Sequence, residues 1–259
     1  MLRSHLNRVV LVGVLLVVLP TVAITERLRK GSGRKVAVAA IVRVARVCGI
    51  HIEVTGVEQL DDQASYVLVP NHTSPMDIAA MLVARPNARF VAAAELFRIP
   101  LLGSAMRALG TVPIERGNTA TSRARVDQLS RPEQDRELVM FPEGGIAPDA
   151  KVLPFKTGAF VVAINTGVPI VPVAISGASS VLPRKGRLRI RPGHVRVDLL
   201  APVATIGLDL DDRSELARSA REHIVSTLRQ GPRHSNRGAL DRVALVVGHN
   251  PQDGGRGGT

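Results

Sequence analysis

His72 and Asp77 stand five positions apart in Val67-Leu68-Val69-Pro70-Asn71-His72-Thr73-Ser74-Pro75-Met76-Asp77, a segment that runs from an apolar stretch into the start of a helix. On a regular helix, at about 100° per residue, two side chains at this offset point roughly 140° apart and cannot pair. Pro75 instead predicts a turn before the helix, and such a turn can bring the Asp77 carboxylate back to one ring nitrogen of His72. The carboxylate would fix the tautomer and leave the other nitrogen to accept a hydroxyl proton. It would also stabilise the imidazolium formed while the hydroxyl oxygen attacks a carbonyl, so that no protein nucleophile is needed. Taken alone, a His and an Asp at this spacing equally describe an ordinary helix cap. The weight of the pair rests on what accompanies it.

Three further blocks follow in order. Gly110-Thr111-Val112-Pro113-Ile114-Glu115-Arg116-Gly117 ends in an acid and a guanidinium, Phe141-Pro142-Glu143-Gly144 follows an apolar stretch, and Val168-Pro169-Ile170-Val171-Pro172-Val173-Ala174-Ile175 is apolar throughout. Separately, they read as a solvated Arg at a strand end, a plain turn and a core strand. Together, and in this order, they resemble the 1-acylglycerol-3-phosphate acyltransferase family, whose first motif is Asn-His followed by four residues and Asp. The resemblance covers roughly residues 50 to 205 and includes Lys151-Val152-Leu153-Pro154-Phe155-Lys156-Thr157-Gly158-Ala159 and Ile190-Arg191-Pro192-Gly193.

The resemblance implies an α/β acyltransferase domain that moves a fatty acyl group from a thioester donor, acyl-CoA or acyl carrier protein, to the free hydroxyl of a lysoglycerolipid. The leading acceptor is 1-acyl-sn-glycerol-3-phosphate, giving phosphatidate. Another lysophospholipid or lyso-amino or glycolipid acceptor is the alternative, as is a catalytically silent lipid-binding membrane protein. In the same terms His72 and Asp77 are catalytic, and Arg116, Glu143, Gly144 and Thr111 bind the acceptor, with Arg116 on its phosphate through a planar fork. Glu143 would orient the acceptor or Arg116. Asn71, Ser74, Glu115, Phe141, Pro142 and Lys156 support the motifs, and Val168, Pro169, Ile170 and Pro172 belong to the acyl-chain side. No metal and no cofactor beyond the thioester co-substrate are expected. The chain departs from the family pattern at Ala93 and Ala94, where a Lys is common, and at Gly145-Ile146, where Thr-Arg is common. A Ser-His-Asp hydrolase is disfavoured because no Gly-X-Ser-X-Gly elbow stands near a strand end.

These residues need a scaffold, and short β-branched runs alternating with helical segments predict a mixed sheet covered by helices. Strands are expected at His51–Thr55, Tyr66–Val69, Arg89–Ala92, Thr111–Ile114, Glu137–Phe141, Pro169–Ile175, Leu188–Arg191 and Val195–Leu200, with Pro192-Gly193 as the turn between the last two. Helices are expected at Met76–Val83, Leu101–Ala108, Thr121–Leu129, Phe155–Asn165 and Ser214–Gln230. The last carries Leu216, Ala220, Ile224 and Leu228 at four-residue spacing and is stopped by Gly231-Pro232. The expected division is N-terminal membrane-associated helices over 1–50, an acyltransferase domain over 51–231 and a flexible tail over 232–259.

The 259-residue chain is 45% hydrophobic, enough for one sizeable core, and its lone Cys48 excludes an internal disulfide or a multi-cysteine metal site. Its formal charge of +12 demands an anionic partner. With no Trp, one Tyr and five Phe it lacks the stacking aromatics that nucleic-acid recognition uses, which places nucleic acid behind a lipid surface and leaves a phosphorylated substrate open. Val9–Ile24 is an uncharged apolar run between Arg3, Arg8 and the cluster Arg27, Arg29, Lys30. At roughly 24 Å it falls short of a hydrocarbon core of about 30 Å. Basic residues on both flanks and the Gly31-Ser32-Gly33 turn suit a monotopic hairpin that returns through Val36–Val47, with Arg43 and Arg46 at the headgroups. The alternatives are a pair of core helices and a cleaved signal peptide, the latter fitting less well since Val22-Ala23-Ile24-Thr25 is a poor small-residue site. The expected location is the cytoplasmic face of the cell membrane.

Overall fold

The computed structural model describes residues 2–115, 137–148, 151–184 and 190–231. Arg116, the expected helix Thr121–Leu129 and the tail from Pro232 lie outside the described residues. Strands β1 (Ile50–Thr55), β2 (Tyr66–Pro70), β3 (Arg89–Ala93), β4 (Val112–Ile114), β5 (Glu137–Val139), β6 (Ile170–Ser176) and β7 (Gly193–Leu199) form one sheet in the order β1-β7-β6-β2-β5-β3-β4. Neighbours run parallel except β6 and β7, so the sheet is mixed.

The central strands are apolar on both faces because both faces are covered, as a parallel sheet requires. Leu68 and Val69 of β2 and Ile170, Val171, Val173 and Ala174 of β6 are all 0% exposed. On one face lie α2 (Ser32–Cys48), α3 (Met76–Ala84) and the short α6 (Ala178–Val181), through residues such as Cys48, Met81 and Val181. On the other lie α5 (Gly158–Thr166) and α7 (Arg213–Gln230), through Phe160, Leu216 and Ala220. In α7 the four-residue apolar spacing is the buried stripe, with Leu216, Ala217, Ala220 and Ile224 facing inward.

The strand pair expected at Leu188–Leu200 is corrected. Residues 188 and 189 lie outside the described set, Ile190 and Arg191 belong to no strand, and the Arg191 N–H is bonded to Val181 O at 2.9 Å. With that donor committed and none on Pro192, β7 starts at Gly193 and pairs with β1 and β6 instead. Strand β5 is shorter than expected, ending at Val139, so Met140 and Phe141 lie beyond it.

Helix α1 (Leu2–Leu28) and α2 form a hairpin, and Gly31 takes the left-handed conformation between them, at φ +81°. Glu26 closes the turn by accepting the N–H groups of Gly31 and Gly33 at 2.8 and 2.9 Å. Gly33 must be a glycine here, because a Cβ would meet Val22 O at 2.8 Å. The hairpin is not a detached appendage. Ala45 and Cys48 of α2 join the main core, and Val22 of α1 packs with Ala37 and with Ala105 of α4 (Leu102–Ala108). Among the described residues no helix is long and apolar enough to cross a membrane.

Arg34 fastens the hairpin to the sheet by donating to Ala88 O at 2.6 Å, Leu109 O at 2.8 Å and Pro86 O at 3.2 Å. Burial pulls its guanidinium below the usual range, a cost offset by the three carbonyls it satisfies and the nearby Glu26 charge. Arg34→Ala leaves those carbonyls without their donor, and the expected loss of stability is about 1 to 3 kcal/mol. Denaturant unfolding checks it: a lower midpoint at constant m is the expected result, and an unchanged midpoint means that Arg34 is not the fastening.

Candidate active site

The site lies along the carboxyl ends of the parallel strands, where α/β sheets collect functional loops. The loop after β2 carries Asn71 to Ser74, and the loop after its neighbour β5 carries Phe141 to Gly144. Asn71 lengthens the β2–β6 pairing through its side chain. Its Nδ2 donates to Ile175 O at 3.0 Å and its Oδ1 accepts the Ile175 N–H at 2.7 Å, so the chain leaves the strand in a fixed direction.

Pro75 caps α3, and the turn before it brings Asp77 Oδ2 to His72 Nδ1 at 3.0 Å. The same oxygen accepts the N–H groups of Thr73 at 2.7 Å and Ser74 at 2.8 Å. Asp77 is fully buried in the first turn of α3, where the helix dipole favours its negative charge. Ser74 is fully buried too, donating through Oγ to Leu182 O at 2.7 Å and accepting the Met76 N–H at 3.0 Å. With a carboxylate at Nδ1, that nitrogen carries the hydrogen and Nε2 the lone pair. Nε2 has no hydrogen bond among the described residues.

Phe141 stacks on the His72 ring, with centroids 4.1 Å apart at 30°. Glu143 Oε1 accepts the His72 N–H at 2.7 Å and Oε2 the Leu153 N–H at 3.0 Å, so each of its oxygens is bonded to backbone. Burial raises the Glu143 carboxyl above its ordinary range, opposed by those two N–H bonds. The Ala147 N–H bonds His72 O at 2.8 Å, a second tie between the loops. Behind Leu153, Arg221 of α7 donates to Leu153 O at 2.9 Å and Val152 O at 2.7 Å. A hydrogen-bonded path thus runs from α7 to the His72 backbone. Arg221 had no motif to mark it, only its place on the polar side of an amphipathic helix.

Lys156 joins this group, its N–H on Pro142 O at 2.8 Å and its side chain across Gly144, whose φ is +71°. The other sequence candidates are spread more widely. Thr111 precedes β4, at the opposite edge of the sheet from His72, and its N–H bonds Met106 O at 2.9 Å. Glu115 follows β4 at the correct edge, but β5 and β3 lie between β4 and β2, a separation of roughly 14 Å at the usual strand spacing. Val168 and Pro169, half-buried, lead into β6, where Ile170 and Pro172 are buried in the middle of the sheet.

A family model described as Acyltransferase matches residues 51–176. The 1-acyl-sn-glycerol-3-phosphate acyltransferase alpha of Mus musculus is 32% identical over 185 residues, 70% of this chain and 65% of the relative. Its Homo sapiens counterpart is 30% identical over 78% of this chain and 72% of its own length. The chloroplastic enzyme BAT2 of Brassica napus is 33% identical over 64% of this chain and 50% of its own length. The chain thus spans between half and about two thirds of the mouse and Brassica proteins. The crystal structure of the 1-acyl-sn-glycerophosphate acyltransferase PlsC from Thermotoga maritima superposes with a TM-score of 0.73 at 26% identity, covering 91% of this chain and 99% of that one. The fold and the matched segment define an acyltransferase domain. The chain belongs to the 1-acyl-sn-glycerol-3-phosphate acyltransferase family.

Glu143→Gln replaces one accepting oxygen with an amide nitrogen, which leaves either the His72 or the Leu153 N–H without its acceptor. The expected result is a ten- to hundredfold lower kcat, from a positional cost of about 1 to 3 kcal/mol, with acceptor KM little changed. A variant with wild-type kcat would remove Glu143 from the positioning of His72.

Proposed function

We propose that the protein transfers a fatty acyl group from an acyl-CoA or acyl carrier protein thioester to the free hydroxyl of 1-acyl-sn-glycerol-3-phosphate, forming phosphatidate for phospholipid synthesis. The single observation that carries this reading is the buried His72–Asp77 pair at 3.0 Å in a chain of this family. In the proposed reaction His72 Nε2 takes the hydroxyl proton while the hydroxyl oxygen bonds to the thioester carbonyl carbon. Asp77 holds the ring and balances the imidazolium. The tetrahedral adduct collapses with cleavage of the C–S bond, and the departing sulfur takes the proton from Nε2. Product ester and free thiol leave with His72 neutral again, and no group on the protein is acylated.

His72→Ala is expected to abolish transfer in a folded protein, and Asp77→Asn to lower turnover by roughly two to four orders of magnitude. Labelled acyl-CoA with a panel of lyso acceptors measures both. Near-normal turnover in folded His72→Ala would exclude the general base.

The second part of the proposal is that the α1–α2 hairpin lies in one leaflet on the cytoplasmic face of the membrane. Support comes from its outward side, where Leu16 is 59%, Val17 66%, Ile24 56% and Leu28 81% exposed. Arg27, Arg29 and Lys30 follow at the turn, placed to meet anionic headgroups. The opposite side of the hairpin is committed to the protein through Val22 and Arg34. Because Ala45 and Cys48 serve the core, substitution tests this better than deletion. Leu16→Asp together with Leu28→Asp should move the protein from sedimenting membranes to the supernatant without loss of fold. Retention of the double variant on membranes counts against attachment through this face.

A further inference from the structure

We propose that Lys156 is a phosphate-binding residue of this site, its ammonium seated on Gly144 to receive a phosphate monoester beside His72. The inference rests on the acyltransferase reading and goes beyond it by assigning a cation to the substrate. Lys156 is held at its backbone, where its N–H bonds Pro142 O at 2.8 Å. From there the exposed side chain crosses over Gly144 in the 141–144 turn. A Cβ on Gly144 would stand 3.2 Å from its Cδ, 2.9 Å from its Cε and 2.7 Å from its Nζ. The glycine therefore serves two ends, the positive φ of the turn and the space the lysine occupies.

That turn is the one on which His72 rests. Phe141 contributes the stacked ring, Glu143 accepts the His72 N–H, and Gly144 is the next residue. Lys156 is exposed, and its ammonium has no hydrogen-bond or ion-pair partner among the described residues. A lysine with a solvated structural role would either extend freely or pair with a carboxylate. Here the stem lies against a glycine next to Glu143, the residue that accepts the His72 N–H, and the charge has no partner among the described residues. Ala93, at the matching end of β3, offers no charge of its own. An ammonium is a compact point charge with three donors, suited to a phosphate monoester. Both substrates can supply one, the acceptor in its headgroup and coenzyme A on its ribose.

Initial rates for Lys156→Met and Lys156→Arg, in one detergent at fixed salt, separate the sources. The acceptors are 1-acyl-sn-glycerol-3-phosphate and a monoacylglycerol without phosphate, and the donors are acyl-CoA and acyl-pantetheine. If the acceptor's phosphate is bound, Lys156→Met raises KM for the phosphorylated acceptor about tenfold at nearly unchanged kcat and spares the monoacylglycerol, while Arg retains most of the affinity. If the phosphate is the donor's, the tenfold rise appears in acyl-CoA KM and not with acyl-pantetheine. Equal loss across all four combinations, or no change in any, overturns the proposal.

A second measurement does not depend on turnover. Glycerol 3-phosphate and 3′-phosphoadenosine are tested for protection of His72 against diethyl pyrocarbonate, followed by peptide mass spectrometry. Protection of the wild type that is lost in Lys156→Met supports the site even if no acyl transfer is found, in which case only the proposed reaction fails. Equal protection of both proteins, or of neither, overturns the assignment of Lys156.

Discussion

Oδ2 of Asp77 accepts the His72 ring at 3.0 Å and the Thr73 and Ser74 N–H groups at 2.7 and 2.8 Å, closing a turn that a regular helix could not make. Three donors on one oxygen define the path of residues 72–77 and the direction of the imidazole at the same time. The other oxygen, Oδ1, is buried without a partner among the described residues. A buried carboxylate is costly, and its compensation is concentrated on one side. The helix dipole of α3 supplies part of it, and in the proposed reaction a proton arriving on His72 would supply more. The same group is thus a structural staple in the resting protein and, in the proposed reaction, the counter-charge to the imidazolium.

A turn of this kind does not hold a ring by itself, and the molecule surrounds it with ties to backbone atoms. Asn71 clamps the entry to β6, Ser74 reaches Leu182 O, and Glu143 takes the His72 N–H from the β5 side. The tie continues through Leu153 to Arg221 on α7, on the far face of the sheet. Backbone partners matter because they move only when a strand or loop moves, whereas long side chains change rotamer readily. Phe141 adds the remaining restraint, stacking on one face of the ring while Nε2 has no hydrogen bond among the described residues.

The pairing of His72 with Asp77 was legible in the sequence because Pro75 rules out the continuous helix that would separate them. The central strands were legible because a strand buried on both faces needs an unbroken apolar run, as β2 and β6 have. The role of Glu143 was not legible. Pro-Glu-Gly carries no information on whether a carboxylate faces a ligand or the backbone of a neighbouring loop, and that is decided by β5 pairing beside β2. Thr111 shows the same limit: it belongs to a motif block by sequence, but three residues of strand carry it to the other edge of the sheet. The expected Leu188–Leu200 hairpin failed because Pro192-Gly193 suits a turn locally, while the long-range partners β1 and β6 were invisible to local chemistry. The boundary drawn at residue 50 followed hydropathy, which does not distinguish Ala45 and Cys48 facing a core from the same residues facing lipid.

Direction along the sheet ties the hairpin to the chemistry. Strand β3 ends at the His72 edge, so α4, which follows it, begins at that edge and runs back toward Leu109. Arg34 joins Leu109 O to Ala88 O, just before β3, and so fixes the Gly31 end of the hairpin at the edge opposite His72. Helix α1 packs along α4 and must therefore descend from the His72 edge toward that turn. Its exposed Leu16 and Val17 lie nearer the reactive edge than Leu28 does. In the proposed membrane arrangement, the part of α1 set deepest in lipid is the part closest to the histidine. A lysoglycerolipid could then keep its acyl chain in the leaflet while its hydroxyl reached Nε2, and the soluble thioester would approach from the aqueous side. The rigidity of the Arg34 fastening is what would preserve that height, since a hairpin free to swing would detach membrane depth from the position of the ring.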